Sequence, residues 1–375
     1  MSIAARAADI FAQQGGTFVE PPVLIEAAIP LELSGEAVRN RICSFVDPQG
    51  KEWALRPDLT LPIALAELEA RRDEDPGETL RRYKGKVFRL PAVETEPVEY
   101  EQVGIERFGA PRTVDQDVWL FEALTQVCHE NGMQTGHTCF GDLSVFPAFI
   151  DALGFPDDVA AGLKRAFRQA GGVQAYIQGQ ERNRSGLAGR VSGMSADDIT
   201  AFVEDIFAMT GVRPVGERTA DEIVERLVER SKSGARFEIS DTQMSVLDKL
   251  LALELPMVAA PDALTEIAGA AGLNGLGDLL DEFRVRAERV AVISQETLSA
   301  EAQFATHFGR RFTYYDGLVF EIAADGSDAA MKRPVAAGGR YDSLLSDLSQ
   351  GEVSATALGG IISPHRLVRI VGGEL

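Results

Sequence analysis

The side chains able to do chemistry fall in a few short segments. ALRPDLTLPIA, Ala54–Ala64, carries Asp58 and Thr60, and EYEQVGIERFG carries Gln102 and Glu106. Asp58 and Glu106 supply the negative charge that an ammonium or a ring N–H requires, and the Gln102 amide can donate or accept. Gln102 and Glu106 are four positions apart, so on a strand they face the same side of the sheet. RRFTYYDGLVFE brings Tyr314 and Tyr315, a flat wall with a hydroxyl, suited to a ring with one polar edge. Gly338-Gly339, in AAGGRYDSL, would let the backbone approach a ligand closely. These groups have the chemistry to hold a free amino acid. Each also has a plainer reading: Gln102 and Glu106 as solvated groups, the tyrosine pair as packing, and GGRYD as a turn with Asp342 capping the helix that follows.

Other chemistries find little support. Lys and Arg total 37 against 57 Asp and Glu, for a formal charge of -20. Nucleic acid is bound largely through cations that neutralise phosphates, so this balance argues against such a partner. Cys43, Cys128 and Cys139, and His129, His137, His307 and His365, fall at no metal-ligand spacing, so no metal is expected. The N-terminus lacks the apolar run of a signal peptide, and no stretch approaches the roughly 20 apolar residues that span a bilayer. A soluble, cytoplasmic protein without a membrane partner is expected.

The elements that must position these residues alternate between two periods. Ser2–Gln14 reads as a helix with Ile3, Ala7, Ile10 and Phe11 on one face, ending at Gly15-Gly16. A short strand broken by Pro21-Pro22 follows, then a hairpin with Ile42–Val46 and Glu52–Leu55 about a turn at Asp47–Gly50. LTLPIALAELEARR reads as a helix, KGKVFRL and VEYEQVGIERFG as strands, 114–131 as a helix, and TCFGDLS as a strand. From 156 to 285 Ala, Leu, Glu and Arg recur at helical spacing, in segments including TADEIVERLVERS, which predicts a mainly helical insertion. Strand signals return in RVAVISQ, FTYYDGLVFEIAA and PVAAGGRYDSLL, with a turn at Asp325–Ser327. Antiparallel strand pairs alternating with helices make an α+β fold the expectation, with 1–155 and 286–375 as its main domain.

The order of these segments resembles the catalytic domain of class II histidyl-tRNA synthetases. ALRPDLTLPIA is similar to that family's LRPEGTA element, and KVFRL with EYEQVGIERFG to its motif 2 and QxGxE strand. RRFTYYDGLVFE and AAGGRYDSL are similar to its two histidine signatures, and ALGGIISPHRL to motif 3. TFVEPPVLIE is a fainter likeness of motif 1, which in the family helps form a dimer interface. The resemblance implies an antiparallel sheet flanked by helices. It also implies a histidine pocket in which Asp58, Thr60 and Gln102 hold the α-amino group, Glu106 and Tyr315 read the imidazole, and Tyr341 is a further pocket tyrosine, beside the Tyr314 already read as part of a flat wall. Arg310 falls on the carboxylate position, or Arg311 if the register slips by one.

Departures from the family pattern carry the functional expectation. Phe88-Arg89 survives, but the basic loop that should follow reads LPAVETEPVEYE, with Glu94, Glu96, Glu99 and Glu101. Carboxylates beside a triphosphate and an RNA acceptor stem are electrostatically adverse. Motif 3 keeps Arg366 but has His365 for the acid and Pro364 in the turn. Arg89 and Arg366 thus stand as remnants of an ATP site, and no anticodon-binding domain is expected. A histidine pocket kept without these features resembles the regulatory subunit of ATP phosphoribosyltransferase. That family implies no catalytic activity and no cofactor, a short-form catalytic subunit as partner, a homodimer within a hetero-oligomer, and histidine as feedback effector in histidine biosynthesis. Whether histidine sits in the pocket, at the subunit interface or both stays open. A truncated synthetase paralogue that activates an amino acid with ATP, and a histidine-binding scaffold with another partner, are the alternatives.

Overall fold

The computed structural model describes residues 1–33, 39–92, 96–169, 171–185, 194–210, 238–310, 314–324 and 333–372. The chain divides into two compact units, Met1–Ala152 with Val246–Leu375, and Leu153–Ser245.

In the larger unit the strands are β1 (Thr17–Phe18), β2 (Leu24–Glu26), β3 (Ser44–Val46), β4 (Glu52–Leu55), β5 (Thr79–Phe88) and β6 (Glu99–Phe108). They continue as β7 (His137–Asp142), β8 (Glu254–Pro256), β9 (Ala302–Ala305), β10 (Leu318–Ala323), β11 (Ala336–Arg340) and β12 (Ala357–Ile362). Nine of them form one sheet in the order β1-β5-β6-β12-β11-β10-β7-β9-β8, and the hairpin forms a small sheet, β2-β4-β3. The large sheet is antiparallel through its centre and parallel only where β1 meets β5 and β7 meets β9. It is flanked by helices, as an α+β fold requires.

Helix Val114–Glu130 covers the centre of the sheet, where Phe121, Phe140 and Phe320 meet edge to face or tilted at 4.9 to 6.0 Å. Two glycine pairs make that closeness possible. Gly338 opposes Gly360, and Gly339 opposes Gly359. A Cβ on Gly360 would lie 2.7 Å from Leu124 of the helix, and one on Gly338 would lie 3.0 Å from Phe320. Their neighbours clear the opposite face: a Cβ on Gly339 would meet Tyr315 at 2.9 Å, and one on Gly359 would overlap the Glu106 carboxylate. The glycines leave room for the protein's own side chains, one face per glycine because strand residues alternate, and Gly338 and Gly360 also border a cavity on the sheet.

Three expectations change. RVAVISQ is not a strand but part of helix Gly277–Leu298. Phe283, Ala287, Val290, Ser294 and Leu298 are buried along it, a helical stripe that overrides the local β-branched content. The compact helical unit is also shorter than the 156–285 stretch, ending at Ser245. Helix Gly277–Leu298 packs on the sheet unit instead, with Phe283 against Phe304 at 5.2 Å and Ser294 hydrogen-bonded to Thr138 at 2.6 Å. Asp342 does not cap a helix; it accepts from Ala357 N–H at 2.9 Å and from Arg340 at 3.1 Å.

The smaller unit contains helices Asp157–Phe167, Gly172–Ser185 and Ala196–Thr210. Val159, Leu163 and Phe167 line the buried face of the first. The TADEIVERLVERS segment and the Asp325–Ser327 turn lie outside the described residues. Among the described residues no helix is long and apolar enough to cross a membrane, and no His, Cys, Asp and Glu group could hold a metal ion.

Candidate functional site

Four neighbouring strands, β6, β12, β11 and β10, floor a cavity of about 140 Å³. That is below the roughly 300–1,000 Å³ of sites for drug-sized ligands and suits a smaller molecule. Asp58 and Thr60 border it from the start of helix Thr60–Asp73, Arg89 from the end of β5, and Tyr100 and Gln102 from β6. Tyr314, Tyr315 and Glu321 close one side, and Ser363 and Arg366 another.

The helix start fixes Asp58, which accepts the Leu61 N–H at 3.1 Å with one oxygen. Its other oxygen is 3.9 Å from the Arg89 guanidinium. Burial raises the Asp58 carboxyl above its ordinary range, and the nearby Arg89 charge acts the other way. Gln102 is 3% exposed and its Oε1 has no hydrogen-bond partner. An orphaned buried amide oxygen costs about 1–3 kcal/mol, and here it belongs to a residue that borders the same cavity as the Asp58 carboxylate. The two together form an acceptor pair fit for an ammonium. Across the cavity, burial pushes Glu321 up to about 7, opposed by the Arg366 charge. Asp58 and Gln102 offer the cavity acceptors, Arg89 and Arg366 offer it cations, and Tyr314 and Tyr315 offer it aromatic faces. A zwitterion with a flat polar ring meets each of them.

Of the residues expected in the site, Asp58, Thr60, Gln102, Tyr314 and Tyr315 line the cavity together with Arg89 and Arg366. Glu106 and Tyr341 stand behind its wall. Glu106 is 0% exposed and accepts from Thr60 Oγ1 at 2.8 Å, from the Tyr83 hydroxyl at 2.6 Å and from the Tyr341 hydroxyl. Burial pushes it up to about 7 even against these three donors. Glu106 is not among the residues that border the cavity. The carboxylate instead positions Thr60 and Tyr341. Tyr341 in turn abuts Tyr314 and Tyr315, with ring centroids 5.7 and 5.9 Å away. Arg310 is half-buried and does not border the cavity, and Arg311 lies outside the described residues.

Comparison with known proteins places this geometry. The histidyl-tRNA synthetase family model matches residues 1–186 and 200–364. An ATP phosphoribosyltransferase regulatory subunit from a Chelativorans species is 31% identical over 360 residues, covering 94% of this chain and 92% of its own. Another, from Mesorhizobium japonicum, is 31% identical over 371 residues, covering 96% and 94%. The chain belongs to the ATP phosphoribosyltransferase regulatory subunit family. Solved structures share its fold. One from Bacillus halodurans, described as an ATP phosphoribosyltransferase regulatory subunit/histidyl-tRNA synthetase, aligns with a TM-score of 0.63 at 19% identity, over 99% of this chain and 79% of its own. The histidyl-tRNA synthetase of Nostoc aligns at 0.58 and 15%, over 98% and 70%.

In this regulatory-subunit chain the two remnant arginines are held by the protein itself. Arg89 donates to the Pro57 carbonyl, and Arg366 to the Pro334 carbonyl at 2.8 Å and to Glu96 at 2.6 Å. His365 packs on Tyr100 with ring centroids 4.5 Å apart. Burial, reinforced by the Arg366 charge, depresses it to about 4. It is therefore neutral near pH 7, unlike the acid it replaces.

Sequence reasoning missed Tyr83, Glu321, Arg41 and Arg333. Tyr83 had a signal: it pairs with Gly104 across β5 and β6, and a Cβ there would lie 2.4 Å from the tyrosine oxygen. Glu321 had one too, as the lone charge in the apolar run LVFEIA of a central strand. Arg41 and Arg333, which meet Glu96 beside Arg366, had none.

Proposed function

We propose that this chain activates a short-form ATP phosphoribosyltransferase catalytic subunit and makes it sensitive to histidine. The observation that carries the reading is the match to regulatory subunits of that enzyme along nearly the whole chain. The ligand half of the reading draws on the cavity, where Asp58 and the unpartnered Gln102 oxygen would receive the α-ammonium. Arg89 would receive the carboxylate, in place of Arg310. Tyr314, Tyr315 and Glu321 would face the ring. Histidine binding would then favour one arrangement of the complex over another, a coupling typically worth about 1–3 kcal/mol.

The test is phosphoribosyltransferase activity of the catalytic subunit from the same organism, measured alone, with this chain, and with this chain plus histidine. Activation that histidine reverses is the expected result. An unchanged rate on adding the chain would sink the proposal.

A further inference from the structure

A groove of about 440 Å³ runs between helix Gly277–Leu298, the short 3-10 helix Met257–Ala259 and the start of β9, and it shares no residue with the cavity at Asp58. Val258, Ala291 and Val292 make it apolar, and Val258 and Val292 stay 55% and 53% exposed. Val285, two turns before Val292 on the same helix, is 48% exposed as well. The helix therefore has two apolar stripes. Phe283, Ala287, Val290 and Leu298 pack on the sheet unit, while Val285 and Val292 face outward.

Scattered valines alone would be ordinary surface. The charges around these valines point to a partner. Glu288 and Glu296 lie one turn to either side of Val292, and Glu301 borders the groove just beyond the helix. Among the described residues none of the three has a cation within ion-pair distance, and Glu301 accepts only from Gln303, at 2.8 Å. The helix's own arginines are committed elsewhere: Arg284 to Asp262, Arg286 to Asp117 and Asp142, and Arg289 to Asp115. Covering these carboxylates with an uncharged surface would strip their water without replacement, whereas Lys or Arg side chains would satisfy them. A second copy of a chain with a net charge of -20 is electrostatically opposed. Strand addition nearby is blocked too, because β8 at the sheet edge has three residues and ends in Pro256, which lacks an N–H. Glu288, Val292 and Glu296 repeat at helical spacing, so a helix laid along them is the fitting occupant. The helix that carries the groove is also tied to the cavity's floor: Arg286 pairs with Asp117, which pairs with Arg340 of β11.

We propose, resting on the regulatory role inferred for the chain, that this groove is the docking surface for a cationic amphipathic helix of the catalytic subunit. Its apolar ridge covers Val258 and Val292, and its Lys or Arg side chains meet Glu288, Glu296 and Glu301.

Affinity of the full chain for the catalytic subunit of the same organism is measured by calorimetry over a range of salt concentrations. Val292→Asn and the double variant Glu288→Gln with Glu296→Gln are measured beside it; all three positions are exposed, so the core is untouched. Val292→Asn is expected to bind at least about tenfold more weakly at every salt concentration, as loss of an apolar anchor does. The double variant should bind about tenfold more weakly at low salt and show a flatter salt dependence. Affinity within about twofold of the unchanged chain for either variant would overturn the docking site and leave the regulatory role standing. No binding by the unchanged chain would overturn both. Sedimentation of the chain by itself tests the other occupant: a Val292→Asn chain that changes oligomeric state while keeping its affinity for the catalytic subunit would assign the groove to a second copy and overturn the proposal.

Discussion

Gln102 and Asp58 show how much of the site rests on single atoms. Both were readable as candidates because of their types, though Gln102, like Glu106, could also be read as solvated. Burial removes that reading for Gln102, which borders the cavity with Asp58, and for Glu106. If they receive the ligand's ammonium, Gln102→Ala should weaken histidine binding by roughly tenfold to a hundredfold, since a hydrogen bond to a charged group is worth about 1.5–3 kcal/mol. Isothermal titration of the purified chain measures this directly; an unchanged affinity would move the ligand elsewhere. Glu321 adds a pH signature. Burial raises its carboxyl to about 7, so it is largely protonated at pH 6 and ionised at pH 8. A neutral imidazole N–H bound beside it donates to the ionised form, so binding favours that form, releases a proton below pH 7, and affinity rises as pH passes upward through that value. Glu321→Gln should remove this slope relative to the unchanged chain, with any titration of histidine itself common to both curves.

Among the elements, β11 and β12 carry the tightest constraint. Gly338-Gly339 on β11 was legible as a site of close approach, while the facing Gly359-Gly360 on β12 was not. The sheet register accounts for Gly359: it lies opposite Glu106, so its missing side chain is the space the carboxylate occupies. Gly359→Ala should therefore displace Glu106 and its three hydroxyl donors, destabilising the chain by about 1–3 kcal/mol as overpacking does. Urea unfolding followed by circular dichroism would register this as a lower midpoint. A midpoint equal to that of the unchanged chain would show that the carboxylate relocates freely. Element identity was hardest to read for helix Gly277–Leu298. Its β-branched residues mimic a strand locally, and only the surfaces it packs on reveal a helical stripe.

For the whole molecule, charge and the fate of the remnant arginines bear on the synthetase alternative. The chain keeps Arg89 and Arg366, but Arg366 is engaged by Glu96 and His365 is neutral. Amino-acid activation needs cations free to meet a triphosphate. Accordingly, histidine-dependent exchange of pyrophosphate into ATP should be undetectable with the purified chain, and a clear exchange rate would revive that alternative. The sequence by itself determined the α+β class, the family, and Asp58, Thr60, Arg89, Gln102, Tyr314, Tyr315 and Arg366 among the cavity-lining residues, because short contiguous segments encode strands, turns and residue chemistry. Tertiary structure alone decided that Glu106 backs the wall, that Arg310 stays away from the cavity, and that Glu96 meets three arginines. Those outcomes depend on which face of a strand a distant residue reaches across the sheet, and on which anion a buried cation finds, neither of which any local pattern records.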